Sequence, residues 1–456
     1  MKKMKVLTIM LAGMMLSLSA CGGGGKDAAS PSASPSENAA SPSESASAAP
    51  SASAAPTAAP DLGGRVIKVS AWWDLKPAGN TAGEKARLAK IAEVEKKYNC
   101  KFEFVNVPFD QYMNKFTTTV LAGAPFADIV QMEYKSALPA IQKGQLLPLS
   151  EFTTPDENIN TTQDQQMKYP AIAGGEYAFD NPVTTSTGLG YNRDLFKKLG
   201  LADPQELYAK GEWNWDKFLE LAKQATKDTN NDGKTDVYGF AGWSVDLLKH
   251  LTAANGGMVV DSTNKKEGLS DAKTIAAAEF VNKLYNVDKV VKVKTGNKMD
   301  WNETNTFKDG DVAMFTSYEW NLGDVKFDYG IVPFPLGPSG SKEITYANTA
   351  AAAKFMPKGV KDADIVYRAY EETFDIPPTE EYAGQDYLES IFKHQEDIDM
   401  IREHISGTGM ITLDDSYTNY PTYAFLEDII VKNASVTATA EKYKQQAQAA
   451  IDKLGQ

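Results

Sequence analysis

The chain has 456 residues, a formal net charge of −13 and 42% hydrophobic residues. An acidic body of this kind carries no basic stripe, which excludes the electrostatic footprint of a nucleic-acid binder. Two cysteines in all exclude a disulfide-stapled scaffold, so the fold must be held by its cores.

Lys2, Lys3 and Lys5 precede an apolar run from Val6 to Leu18, followed by Ser19, Ala20 and Cys21. A basic start, a short apolar centre and small residues before a cleavage point describe a secretory signal. The run is too short for a membrane span, which needs about 20 residues. Leu18-Ser19-Ala20-Cys21 matches a bacterial lipobox, so residues 1–20 are expected to be removed and Cys21 to carry palmitate-type acyl chains. Two lipid signals suffice for stable attachment. The alternative is a plain signal peptide with an incidental cysteine.

Residues 21–64 form the expected tether. Lys26 to Pro60 is almost wholly Ala, Ser and Pro, too poor in apolar bulk to offset its ordering entropy. Extended at roughly 3 Å per residue, it reaches on the order of 100 Å. That reach suits a thick, Gram-positive-type cell surface.

Leu62 to Gln456 is too long for one ordinary core, and two lobes are expected. Val66 to Trp72 reads as a buried strand and Glu84 to Tyr98 as an amphipathic helix with Leu88, Ile91, Ala92 and Tyr98 on one face. Strand, helix, strand and helix follow at Phe102–Val107, Tyr112–Leu121, Ala127–Met132 and Ala137–Lys143. This alternation predicts an α/β fold with a mostly parallel sheet covered by helices. Further on, Asn214 and Asp216 mark a helix start with Trp213 and Phe218 as its staple. Val436 to Leu454 repeats apolar residues at spacings of three and four and is expected to dock on the second lobe.

The motifs of common enzymes are missing. His250, His394 and His404 fall in no zinc pattern, and neither a nucleophile elbow nor a phosphate-cradling Gly-Lys-Ser/Thr loop occurs. A glycosidase remains open, since it needs only two carboxylates at a suitable separation. One stretch has metal-ligand spacing: Asp228, Asn230, Asp232, the Lys234 carbonyl and Asp236, with Gly233 at the sixth position. Its twelfth position is Gly239 rather than glutamate. It reads either as a structural Ca²⁺ site or as an Asn/Asp-rich turn, and no other cofactor is expected.

Aromatics with acidic neighbours recur directly after predicted strands: Trp72-Trp73-Asp74, Glu133-Tyr134, Trp243 and Tyr318-Glu319-Trp320. In open α/β sheets ligands bind beyond the carboxyl ends of strands. Aromatic faces stack on sugar C–H faces, and carboxylates accept from hydroxyls in the sugar plane. Core packing explains any one tryptophan, but explains the whole set less well.

The chain resembles the bacterial extracellular solute-binding protein family 1, the substrate-binding lipoproteins of sugar-type ABC importers. The resemblance rests on Gly123 to Val130 (GAPFADIV), Gly144 to Leu149, Tyr191 to Phe196, Trp213 to Phe218, Phe307 to Met314 and Tyr329 to Pro333. It implies two α/β lobes around a ligand cleft that closes by hinge bending. Lobe 1 is then expected at 65–178 and 335–376, and lobe 2 at 179–334 and 377–456. The crossings fall near Tyr177–Asn181, Pro333–Pro335 and Asp375–Pro378. The cleft-lining set implied is Trp73, Asp74, Glu133, Tyr134, Trp243, Tyr318, Trp320 and Tyr420 or Tyr423, with Trp301 a further candidate contact. The expected function is a non-catalytic, monomeric receptor that hands a carbohydrate, an oligosaccharide by its several aromatic surfaces, to an ABC permease. Its expected seat is the extracytoplasmic membrane face. A surface glycoside-processing enzyme and a receptor for peptides or other polar solutes are the alternatives.

Overall fold

The computed structural model describes residues 60–153, 177–183 and 186–454. Cys21, with the expected signal and residues 21–59 of the expected tether, lies outside the described residues. Among them no helix is long and apolar enough to cross a membrane.

The strands in chain order are β1 (Arg65–Ala71), β2 (Cys100–Asn106), β3 (Ile129–Glu133), β4 (Phe179–Val183), β5 (Thr187–Asn192), β6 (Tyr238–Ala241), β7 (Val260–Asp261), β8 (Lys266–Glu267), β9 (Val312–Tyr318), β10 (Tyr329–Val332), β11 (Tyr346–Asn348), β12 (Ala352–Phe355) and β13 (Gly409–Ile411). The first sheet has the order β2-β1-β3-β12-β4. β1 runs parallel to β2 and β3, and β12 returns antiparallel, with Ala352 opposite Glu133. The crossover helices lie close to their predicted places, at Ala82–Lys97, Phe109–Leu121 and Tyr134–Gln142. The first is fixed by a capping box in which Thr81 and Glu84 satisfy each other's amides. Its inner face holds Ile91 and Val94, while Ala92 faces solvent.

The second sheet has the order β10-β5-β9-β6, with β6 and β9 parallel and the other pairs antiparallel. Helix Trp215–Ala225 packs on it. Asn214 caps this helix at the Lys217 amide, and the Trp213 ring meets Phe218 edge-on at 6.2 Å, as a hydrophobic staple should.

Two expected crossings shift. β4 stays in the first sheet, hydrogen-bonded to β12, and the second sheet begins only at Thr187. The boundary placed at residue 178 and the crossing at Tyr177–Asn181 are therefore too early. The return placed at Pro333–Pro335 is early as well, because Leu336 accepts from the Trp215 amide and Gly337 donates to Ala254, both at 3.1 Å. Those bonds hold residues 336–337 to second-lobe helices, and the chain re-enters the first sheet at Ala352. The third passage falls between Tyr370 in a first-lobe core and Leu388 in the second-lobe core. Helix Val436–Leu454 places Ala440 and Ala447 in the second-lobe core, while Ala450 and Ile451 belong to a cluster that holds Val260 and Tyr417 of the second lobe as well as Ala137, Leu138 and Ile141 of the first.

Candidate functional site

The carboxyl ends of β1 and β3 build one wall. Trp72 and Trp73 follow Ala71, and the Trp72 ring meets Trp73, Phe109 and Tyr112 edge-on, with centroids 4.9, 5.4 and 5.5 Å away. Edge-to-face contact aligns ring quadrupoles and locks the indole in place. β3 ends at Glu133, buried and 3.3 Å from the Lys135 ammonium. Trp72, Phe109, Glu133, Lys135 and Asp415, together with Tyr112, Met113, Met132 and Ser136, line a cavity of about 290 Å³.

A second aromatic wall grows from the parallel pair β6 and β9. Gly242 follows β6 at φ 153°, where a Cβ would lie 2.6 Å from Thr316 Oγ1, so only glycine makes this turn into Trp243. The Trp243 indole N–H donates to the Met299 carbonyl at 3.1 Å. Trp301 sits edge-on to Trp243 at 5.9 Å and near-parallel to Trp320 at 6.5 Å, and Trp320 stacks on Tyr318 at 5.5 Å. Asp300 caps the short Trp301–Thr304 helix and so positions the middle ring. Trp320 is 55% exposed.

An ionic chain joins this wall to the cavity. The buried Tyr318 hydroxyl donates to Asp246 and lies 3.2 Å from Thr349 Oγ1. Asp246 and Lys249 lie three residues apart on helix Ser244–Ala254, every residue of which is buried. Lys249 Nζ is 3.0 Å from Asp414 and 2.9 Å from Asp415, and Asp415 lines the cavity. Burial pushes Glu133 and Asp246 above the usual carboxylate range. Burial also acts to raise Asp415, but Lys249 and Lys135 outweigh it and hold that carboxyl below the usual range. For Lys249 burial disfavours the charge, yet Asp414, Asp415 and Asp246 keep it firmly protonated.

Trp72, Trp73, Glu133, Trp243, Trp301, Tyr318 and Trp320 thus fall in the two walls and the link between them. Others go elsewhere. Asp74 is exposed and accepts from the Lys76 amide in a tight turn. Tyr134 is buried in the first-lobe core, edge-on to Phe355. Glu319 points inward to Ser186, beside the first crossing, and burial pushes its carboxyl up to about 7. Tyr420 donates to the Val259 carbonyl at 2.5 Å and ties that loop down, while Tyr423 is exposed on helix Thr422–Ile430 and is not among the residues that line the cavity. Sequence reading missed Phe109, Lys135, Asp246, Lys249, Asp414 and Asp415. The signal for two of them was present, since an aspartate and a lysine one turn apart stand among the leucines and alanines of that helix.

In the Asp228–Asp236 loop the carboxylates turn to the backbone. Asp228 accepts from the Asn231 and Gly233 amides at 2.7 and 2.9 Å, and Asp236 from the Thr229 amide at 2.7 Å. Asn230 presents its amide nitrogen, not its oxygen, to Asp236 at 3.2 Å, and Asp232 accepts from Lys234 N at 2.8 Å. Among the described residues no three His, Cys, Asp or Glu side chains gather as metal ligands. The geometry is that of a self-capped turn.

A family model for bacterial extracellular solute-binding proteins matches residues 78–367. No curated protein matches the sequence. Among solved structures, the fold is similar to an ABC substrate-binding protein of Listeria monocytogenes in complex with cycloalternan, with a TM-score of 0.61, 17% identity, and coverage of 86% of this chain and 98% of that one. It is similar also to the maltose/maltodextrin-binding domain of Bdellovibrio bacteriovorus bound to maltotriose, with a TM-score of 0.58, 18% identity and coverage of 85% and 99%. A Mycobacterium tuberculosis protein in complex with glycerophosphocholine reaches a TM-score of 0.62 at 17% identity, covering 85% and 98%.

Proposed function

This chain belongs to the bacterial extracellular solute-binding protein family, and we propose that it is a carbohydrate receptor that delivers an oligosaccharide to an ABC-type importer without transforming it. The observation that carries this reading is the pair of aromatic walls at strand ends, with the cavity and its hydrogen-bonding carboxylates at one of them. Several stacking surfaces suit several sugar rings, and the solved neighbours that hold cycloalternan and maltotriose share the fold. In this reading lobe 1 comprises residues 60–153 and 177–183 with the β12 region and helix Ala363–Glu372, and lobe 2 the rest of the described residues. The chain works as a monomer tethered through acylated Cys21 on the extracytoplasmic face, with no cofactor taking part in binding.

One observation favours a second reading, glycoside cleavage. Glu133 and Asp415 line one cavity, and their surroundings drive their protonation in opposite directions, the pattern of an acid and a nucleophile. Thermal unfolding of the purified chain against a panel of oligosaccharides, with mass spectrometry of the recovered sugar, separates the two. The receptor reading predicts a raised melting temperature and intact sugar. Accumulating cleavage products that vanish in Glu133→Gln and Asp415→Asn would replace it with the enzyme reading, and mass spectrometry showing an unmodified Cys21 would remove the anchor.

A further inference from the structure

The site carries a sign of charge that a neutral sugar does not use. Four carboxylates, Glu133, Asp246, Asp414 and Asp415, face two ammonium groups, Lys135 and Lys249, leaving a formal excess of two negative charges. Both cations are engaged: Lys249 is buried between Asp414 and Asp415, and Lys135 pairs with Glu133. Among the described residues, Glu133 Oε1 and Asp415 Oδ1 have no hydrogen-bond partner, and the Asp415 side chain is 51% exposed where it lines the cavity. The same cavity includes Trp72 and the 57% exposed Phe109, whose ring faces attract cations.

We infer that the cavity selects a ligand bearing a protonated amine over its neutral and carboxylate counterparts, an amino sugar if the carbohydrate reading on which this rests is right. An ammonium offers three donors and no acceptor, which suits two open carboxylate oxygens beside an aromatic wall. Its hydrogen bonds are charge-assisted and roughly twice as strong as those of a hydroxyl. A carboxylate or phosphate in its place meets like charge, and Lys135, the cation in the cavity lining, is already paired with Glu133, an arrangement that suppresses wrong ligands.

Calorimetric titration of the purified full chain with matched triplets tests this: glucose, glucosamine and glucuronate, and the galactose and mannose equivalents. In a triplet that binds, the amine form should bind about tenfold tighter than the neutral sugar, and the uronate weakest. The ratio should shrink toward one in Asp415→Asn, in Glu133→Gln and at high salt. Equal affinity for amine and neutral forms, or a ratio unchanged in both variants, overturns the inference. Ethanolamine against its neutral isostere propan-1-ol separates the charged amine from the sugar. If no triplet binds but ethanolamine is preferred, the amine selection stands and the carbohydrate reading falls; if ethanolamine is not preferred either, the selection falls too. Circular dichroism of both variants identifies one that fails to fold, and the other then decides.

Discussion

The two aromatic walls are held by opposite kinds of interaction. On the first lobe Trp72 is fixed by edge-on contact with Trp73, Phe109 and Tyr112, so this wall is continuous with apolar packing. On the second lobe Trp320 rests on Tyr318, whose hydroxyl bonds Asp246 beside the buried Lys249 network. A wall set by packing tolerates small shifts at the cost of dispersion contacts. A wall set by a buried ionic network holds one geometry and suffers heavily when a member is lost.

The largest effect should therefore come from breaking that network. Lys249→Met strands Asp414, which is 1% exposed, and should cost about 3–5 kcal/mol in chemical denaturation. Adding Asp414→Asn should recover part of the loss. A single variant as stable as wild type would show that packing, not charge, holds the second wall.

Glu319 sharpens the same contrast, being a buried carboxyl held by Ser186 without a lysine. Its pKa rises from 4.5 to about 7 on folding, so the native state keeps the proton longer than the unfolded chain. Stability from this group is intact below about pH 4.5 and declines as pH rises toward 7, by about 3 kcal/mol in total. Glu319→Gln should flatten that decline and be the more stable protein at pH 8, as read from urea midpoints at pH 5 and pH 8. Equal pH slopes for variant and wild type would mean that Glu319 titrates normally.

The smallest effect belongs to a region outside both walls. Because the Asp228–Asp236 carboxylates are satisfied by backbone amides, chelator and excess calcium should both leave the melting curve unchanged. A calcium-dependent rise reversed by chelator would restore the metal reading.

The walls also differ in how legible they were. Trp72, Trp73 and Trp243 follow strands whose apolar runs are plain in the sequence, so topology alone places them at strand ends. Thr81, Asn214 and the Trp213–Phe218 staple likewise announce their helices locally. Asp414 and Asp415 gave no local signal, because their partner Lys249 lies more than 160 residues away and only tertiary folding makes the pairing. The crossings were misplaced for a related reason: β4 ends where its ladder to β12 ends, and that pairing joins segments far apart in the sequence. Tyr134 shows the limit of strand-end reasoning, since it occupies the next position after Glu133 yet turns into the core.

The central claim, that the two walls grip one carbohydrate, is tested most directly by calorimetry of wild type, Trp73→Ala and Trp320→Ala with the cognate oligosaccharide. Trp320 is more than half exposed, so its loss should leave stability almost untouched. One-to-one binding is expected in wild type, with each variant losing about 2 kcal/mol or more, well over tenfold in affinity. Wild-type affinity in both variants would mean that the ligand touches neither wall and would contradict the account.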